Sequence, residues 1–217
     1  MSSVKGQEVL IKFVLDTSAL TDPRLRSFFK VTELWEAIDK CLELMAQGRL
    51  RLGFGYYTTP SILKEIKGFL IRSSSPEEVI AKLNVWITPS TPSLSEIKIP
   101  ANIFMEYVDE VRRRLDKGLR VAEESTRRAH AGGDVAEHIR NLREKYREST
   151  RKGLLDSTAD LEAVMLAYQL QAVLVSNDEG LCKMAHKLGV TCIDPLTFLN
   201  TIEEYLRLVK KGTERQA

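Results

Sequence analysis

Two short apolar runs, each ending at an acid, constrain this chain more than anything else in it. Residues 9–15, VLIKFVL, are mostly β-branched or aromatic and stop at Asp16, with Thr17, Ser18 and Ala19 behind it. Residues 172–176, AVLVS, run into Asn177, Asp178, Glu179 and Gly180. Short, mostly apolar runs of this length read as strands buried on both faces, as in a parallel sheet. In an open parallel sheet the carboxyl ends of the strands border the ligand crevice, which is where both acids fall.

The rest of the chain supplies helices and further strands. Residues 31–47 carry apolar side chains at 31, 34, 35, 38, 41, 42 and 45. That spacing predicts a helix with Thr32 as its N-cap and Gly48 as its stop. Residues 50–58, LRLGFGYYT, read as a second strand, and Thr58-Thr59-Pro60 opens a helix over 60–71. Pro76-Glu77-Glu78 starts another helix, and VWITPSTPS at 85–93 is a third extended piece. Later come a helix over 154–171 rich in Ala, Leu and Met, a helix at 180–187 and a short strand, VTCID. The expected fold class is α/β, a Rossmann-like parallel sheet flanked by helices, spanning 9–100 and 154–200, with a C-terminal helix or tail at 201–217.

Residues 101–153 depart from this grammar. Phe104, Val108, Val111, Leu115, Leu119 and Ala122 form one apolar helical stripe. His130-Ala-Gly-Gly133 interrupts it. Asp134 and Glu137 resemble a capping box, and Val135, Ile139, Leu142 and Tyr146 make a second stripe. This predicts an inserted antiparallel helical hairpin. Ile103, Met105, Leu119 and Val121 are left as spare apolar groups, compatible with self-association.

With 217 residues there is room for one ordinary domain carrying an insertion. A hydrophobic share of 43% supports a core and argues against disorder. The three cysteines, Cys41, Cys182 and Cys192, show no C-x-x-C spacing, which argues against a disulfide scaffold and a thiolate zinc site. With only three histidines, any metal site must draw mostly on oxygen ligands. No apolar run approaches the length of a membrane span, and the N-terminal run is too short for a signal peptide, so the expected setting is soluble and cytoplasmic.

Beside Asp16 and Asp178 stand Asp156 and Asp160, four apart on one helical face, and Glu65 in the helix after the second strand. Converging carboxylates repel one another unless a hard cation such as Mg²⁺ or Mn²⁺ neutralises them. Taken singly, each acid has a plainer reading: turn or N-cap for an Asp after a strand or at the head of a helix, solvated acid for Glu65. Their joint placement favours a metal site. There is no GxxxxGK[ST] loop, no GxGxxG after the first run and no GxSxG elbow, and Ser18 stands where a haloacid-dehalogenase phosphatase needs a second Asp.

DTSAL at 16–20, TTPSILKEI at 58–66, DSTAD at 156–160 and LVSNDEGL at 174–181 resemble the four acidic motifs of PIN-domain nucleases. DTSALTDP at 16–23 and the basic helical insertion before DSTAD resemble the short prokaryotic RNA-free (protein-only) ribonuclease P family. That resemblance implies a metal-dependent endoribonuclease that removes the 5′ leader from precursor tRNA. Asp16, Asp156, Asp160 and Asp178 would be its catalytic, metal-binding acids, and Glu65 matches the second acidic position of PIN domains in general. Two Mg²⁺ would activate water and steady the leaving 3′ oxygen. The resemblance also implies a homo-oligomer joined through the helical insertion. Thr17 or Ser18 would hold the site through hydroxyl hydrogen bonds, or simply cap the turn.

The formal charge of the chain is only +2, so the placement of charge matters more than its sum. Between Val111 and Arg151 there are 12 Lys and Arg against 7 Asp and Glu. Arg140, Arg143, Arg147 and Arg151 share one helical stripe, while Arg112, Arg113, Arg114, Arg120, Arg127 and Arg128 crowd the partner helix. The alternative is a solvated, salt-bridged face with Glu144 and Glu148 as partners. Beside a nuclease site, a grip on RNA phosphates is the better reading. Two rivals remain open at this stage: a toxin-type PIN endoribonuclease acting on other RNA, and a non-catalytic RNA-binding protein on a PIN fold.

Overall fold

The computed structural model describes residues 11–130, 132, 134–151 and 158–214, the side chains at 150–151 and 212–214 excepted. In chain order the elements are β1 (Lys12–Leu15), α1 (Ser18–Thr21), α2 (Arg24–Phe29), α3 (Leu34–Leu52), β2 (Gly55–Thr58), α4 (Pro60–Arg72), α5 (Glu77–Trp86), β3 (Thr88–Pro89), α6 (Ala101–His130), α7 (Val135–Arg151), α8 (Thr158–Leu170), β4 (Val173–Val175), α9 (Glu179–Lys187), β5 (Cys192–Ile193) and α10 (Pro195–Glu214). They form two compact units, Met1–Ile97 with Ser157–Ala217, and Lys98–Asp156.

The first unit is built on a parallel sheet of order β3-β2-β1-β4-β5. The chain steps outward from β1 to β2 and β3, then crosses back to β4 on the other side. The switch in direction therefore lies between β1 and β4, where Leu15 pairs with Val175. Phe13, Val14, Leu15, Leu174 and Val175 are buried, which is why these strands carry no alternation of polar residues.

Helices cover both faces because each presents a matching apolar surface. α8 buries Ala163 through Ala167 in succession and packs on β1 and β4; a helix so uniformly apolar can only be a core helix. α3 and α10 pack together, and Phe13, Phe54, Tyr56 and Phe198 form an aromatic cluster in the core. Each such ring, fully buried, contributes about 1.5–3 kcal/mol relative to exposure. Lys82 on α5 reaches Asp39 at 2.7 Å and Glu43 at 3.1 Å on α3, joining those helices at the surface.

Several sequence expectations shift. The first long helix starts later and ends later than its spacing predicts. Glu33, not Thr32, is the N-cap and forms a capping box with Glu36. Gly48 does not stop the helix: it is buried, and a Cβ there would collide with the Tyr56 hydroxyl, so this glycine serves close packing. The stop is Gly53, in the left-handed region at φ 70°. Residues 50–52 consequently belong to α3, and the second strand shortens to four residues. The extended piece at 85–93 is mostly helix end and loop, with only Thr88 and Pro89 paired to β2. Two short helices, α1 and α2, follow β1 where the sequence suggested only a turn. The C-terminal helix begins at Pro195, ahead of residue 201, with Asp194 accepting from the Leu196 and Thr197 amides.

The cysteines also depart from expectation. Cys182 on α9 and Cys192 on β5 form a disulfide, and only Cys41 is free. The ten-residue separation held no motif that marks such a pair; α9 and its return to the sheet bring the two together.

In the second unit α6 and α7 pack against each other. Asp134 caps α7, accepting from the amides of Ala136 and Glu137. The seam is only in part the expected one. Phe104, Val108, Leu115 and Leu119 are exposed, as are Val135, Ile139 and Tyr146. Val111, Ala122 and Leu142 of the expected stripes are half-buried, with Arg114, Gly118 and Val121 sheltered beside them. Gly118 decides this phase: a Cβ there would run into the Tyr146 ring, so the helices approach where α6 has no side chain. Of the four groups expected to be spare, Ile103 is buried and Val121 half-buried, while Met105 and Leu119 are exposed.

Candidate active site

Asp16 stands one residue beyond β1 and Asp178 three beyond β4, the two strands flanking the switch point. Asp16 is 7% exposed, and its amide donates to Val175 O at 3.1 Å, extending the ladder by one bond. Its carboxylate is held on one side only. Ser18 Oγ and Ser176 Oγ each donate to Oδ2 at 2.8 Å, and the Ser18 amide points to the same oxygen at 3.4 Å. Oδ1 has no hydrogen-bond partner among the described residues.

The two hydroxyls do double duty. Ser176 Oγ accepts from the Asp178 amide at 3.1 Å, and Ser18 Oγ from the Asn177 amide at 3.0 Å. Asp178 in turn caps α9, accepting from the Leu181 amide through Oδ1 at 2.7 Å, and its Oδ2 has no hydrogen-bond partner among the described residues. The plain capping role considered for an acid after a strand is thus real for Asp178, and it coexists with a place at the switch point.

Glu65 on α4 accepts from Thr17 Oγ1 at 2.8 Å, so the helix after β2 is tied to the residue beside Asp16. Thr17 and Ser18 therefore both bond to acids of the constellation. Asp160 lies half-buried in the first turn of α8, the helix on β1 and β4. Asp156 lies outside the described residues. Among the described residues no group of three or more acidic, His or Cys side chains is close enough to hold a metal ion.

Sequence reasoning missed Asp22. It is 2% exposed and lies between α1 and α2. Arg24 Nε and Nη2 donate to it at 2.6–3.1 Å, with its own amide adding a bond at 2.8 Å. Asn177 Nδ2 donates to Asp22 Oδ2 at 3.1 Å. The Arg24 side-chain hydrogen bonds hold the Asp22 carboxyl below its ordinary value, with the Arg24 amide and Asn177 adding to the effect against burial. Through Asn177 the buried Asp22 carboxylate, paired with a half-exposed Arg24 guanidinium, anchors the turn carrying Asp178. The available signal was the fragment DTSALTDP itself, in which a second acid follows the first by six residues.

In the helical unit the arginines divide into two groups. Arg114 is mostly buried and bonds Glu110 at 3.1 Å, and Arg113 reaches the same carboxylate at 3.1 Å. The Arg114 hydrogen bond is the main reason the Glu110 carboxyl sits below its ordinary value. Arg128 pairs with Glu124. Arg112, Arg127, Arg140 and Arg143 are exposed without an ion pair among the described residues. Arg147 is exposed on the same stripe of α7. The Arg151 side chain lies outside the described residues.

A family model described as a PINc domain ribonuclease matches residues 12–207. A protein of Ignicoccus hospitalis named RNA-free ribonuclease P is 70% identical over 202 residues, covering 93% of this chain and 99% of its own. One of Hyperthermus butylicus with the same name is 44% identical, covering 98% and 95%. Among solved structures, a PilT N-terminus domain protein from Sulfolobus solfataricus aligns over 88% of this chain at 14% identity and a TM-score of 0.39.

Proposed function

The chain belongs to the PINc-domain ribonucleases and, among them, to the RNA-free ribonuclease P family, and from that membership we propose that it removes the 5′ leader of precursor tRNA by metal-dependent endonucleolytic cleavage. It is an endoribonuclease. The observation that carries the reading is the pair Asp16 and Asp178, set at the switch point of the sheet with one oxygen each left unbonded among the described residues.

That donor set suits a hard divalent cation. Mg²⁺ takes one or two carboxylates and fills its remaining positions with water and phosphate oxygens. Asp16 and Asp178 would hold it, joined by Asp156 and Asp160, with Glu65 a further carboxylate beside them. Such an ion, Mg²⁺ or Mn²⁺, supplies a more acidic water and offsets charge on the phosphate under attack. The protein does the positioning. Ser18 and Ser176 fix the Asp16 carboxylate by its Oδ2, which leaves Oδ1 as the oxygen available to a cation. Glu65 holds Thr17 beside it. In-line attack by water would leave a 5′-phosphate on the tRNA and a 3′-hydroxyl on the leader.

The exposed arginines of α6 and α7 support a phosphate grip on the tRNA body. Few aromatic side chains lie in this unit, which fits structured RNA recognised by shape better than stacked single strands. The exposed apolar stripe of α6 and α7 supports assembly into a homo-oligomer. No helix among the described residues is long and apolar enough to cross a membrane; with tRNA as substrate, the cytoplasm is the setting that fits.

The test is incubation of pure protein and Mg²⁺ with 5′-labelled precursor tRNAs, with cut sites mapped. One cut at the mature 5′ end, whatever the leader sequence, is expected. Equal cleavage of an unstructured RNA, or scattered cuts, would instead mark a toxin-type endoribonuclease. RNA binding without cleavage would mark a non-catalytic protein.

A further inference from the structure

On the first unit, α4 shows two faces. Glu65 turns toward Thr17 and the site. Away from it runs an open groove of about 600 Å³, floored by Pro60, Leu63, Ile71 and Pro89 and edged by Lys64 and Lys67. Ile71 is 67% exposed. Neither lysine has an acidic partner among the described residues, and nor does Arg72 at the end of the helix. The groove starts at Pro60, two residues past β2, and at Pro89, the last residue of β3. Adjacent strands lie about 4.8 Å apart, so β3 ends roughly 10 Å across the sheet from β1 and Asp16.

The floor also contains a glycine that the fold does not require. Gly68 sits mid-helix, where glycine weakens a helix relative to alanine. A Cβ at this position would meet only the mobile guanidinium of Arg72, 3.3 Å away. No packed neighbour uses the space, and φ is ordinary. A glycine kept free on an open, cation-edged face leaves room for a ligand to lie close to the helix.

We propose that this groove holds the single-stranded 5′ leader of the substrate, an inference that rests on the ribonuclease P reading above. The cationic edge matches a phosphodiester chain. The apolar floor matches unpaired bases, which have exposed faces to lay on it; bases paired in an acceptor stem do not. The leader is the unpaired strand continuous with the scissile phosphate, and Lys64 is the chain neighbour of Glu65 at the site. Lys64, Lys67 and Gly68 thus act in substrate selection, outside the metal chemistry.

Affinity measured without divalent metal tests this apart from cleavage. The probes are one precursor tRNA with a leader of about ten nucleotides, the same tRNA without a leader, and the precursor with its 3′ tail removed. The parent should bind the leader-bearing form about three- to tenfold more tightly than the leaderless form. Lys64→Ala/Lys67→Ala and, separately, Gly68→Leu should abolish that advantage and leave leaderless binding unchanged. Gly68→Leu should melt no lower than the parent, because leucine favours the helix, so lost binding cannot be ascribed to misfolding. Absence of a leader advantage in the parent overturns the proposal. So does equal weakening of both RNAs, or a variant effect that vanishes with the 3′ tail, which would assign the groove to the tail. A parent that cuts no precursor in Mg²⁺ overturns the ribonuclease P reading, while the affinities still decide the groove.

Discussion

Ser176 donates its hydroxyl to Asp16 Oδ2 over 2.8 Å while accepting the Asp178 amide at 3.1 Å, so one buried side chain sets both acids of the switch point. The amide takes a lone pair of that oxygen, which leaves the hydroxyl proton for Asp16. Ser18 repeats the pattern with the Asn177 amide. Ser176→Ala removes one of these donors with little change of volume. Cleavage should slow about tenfold or more at limiting Mg²⁺, with a stability loss of about 1–2 kcal/mol. Single-turnover rates across a Mg²⁺ titration check this; parental rates at both low and saturating Mg²⁺ would remove Ser176 from the site.

Asp16→Asn, Asp156→Asn, Asp160→Asn and Asp178→Asn should each reduce cleavage by at least about 100-fold, because each removes charge that a divalent cation requires. Melting without metal should stay level. Asn can replace Asp as the α9 cap, and the amide oxygen at position 16 can still accept from both serines. Glu65→Gln keeps an acceptor for Thr17 Oγ1 and should cost less, roughly tenfold. An Asp16→Asn protein that cleaves at the parental rate with metal would refute the assignment.

Much of this site could be read from the chain because its acids sit where strands end, and strand ends show in the sequence as apolar runs meeting a charge. Asp16 and Asp178 follow directly from VLIKFVL and AVLVS. Asp22 did not, because its burial depends on α1 and α2, two helices too short to leave a periodic signal. The hairpin was legible as two helices but only partly in phase: Val111, Ala122 and Leu142 are sheltered as their spacing implies, Leu115 and Leu119 are not. Both Gly118 and Leu119 lie near the seam by spacing alone, and the close approach to Tyr146 at the glycine decides which side turns inward. Gly48 shows the same limit: its reason is the Tyr56 hydroxyl, which belongs to the next strand and leaves no mark on the helical spacing.

Asp22 gives the fold a specific acid sensitivity. Its carboxyl titrates below its ordinary value, mainly through the Arg24 hydrogen bonds. A carboxyl lowered on folding adds stability above its unfolded value, and that stability is lost as pH falls through the lower, folded value. The parent should therefore lose stability below about pH 4 more steeply than Asp22→Asn, and at neutral pH the variant should be less stable by about 1–2 kcal/mol. Denaturant melts from neutral to acid pH measure both. Parallel curves would show that Asp22 and Arg24 do not couple to folding.

The disulfide makes a prediction about thiols. Cys182 and Cys192 are joined, and burial pushes the Cys41 thiol up to about 12. The native oxidised protein should hence show no fast-reacting thiol, and the unfolded, unreduced protein one. Closing so short a loop stabilises by about 2–3 kcal/mol in the chain-entropy model. Reductant and Cys182→Ser should lower the melting temperature alike, with no added effect of reductant on the variant. Three thiols in the unfolded, unreduced protein would show that the bond does not form.

The arginines of the helical unit predict a contrast between two kinds of substitution. Arg140 and Arg143 stand exposed on α7 without acidic partners among the described residues, on one stripe with Arg147. Arg114 faces inward, its side chain 11% exposed and bonded to Glu110. A phosphate releases its counterions only to a cation that can reach it, so the first group should carry the salt dependence of RNA binding and Arg114 should not. Replacing Arg140, Arg143 and Arg147 by Ala should flatten the log–log dependence of affinity on salt by about 0.7–0.9 for each phosphate no longer gripped, with melting unchanged. Arg114→Ala should leave that slope in place and lower the melting temperature, because it empties a sheltered position and leaves the Glu110 carboxylate with Arg113 in place of two arginines. Binding isotherms at several salt concentrations, paired with melts, separate the two. If the triple substitution leaves the slope intact, the α7 stripe is a solvated face; if Arg114→Ala flattens it, the inward arginine reaches RNA after all and the packing of α6 on α7 must open to let it.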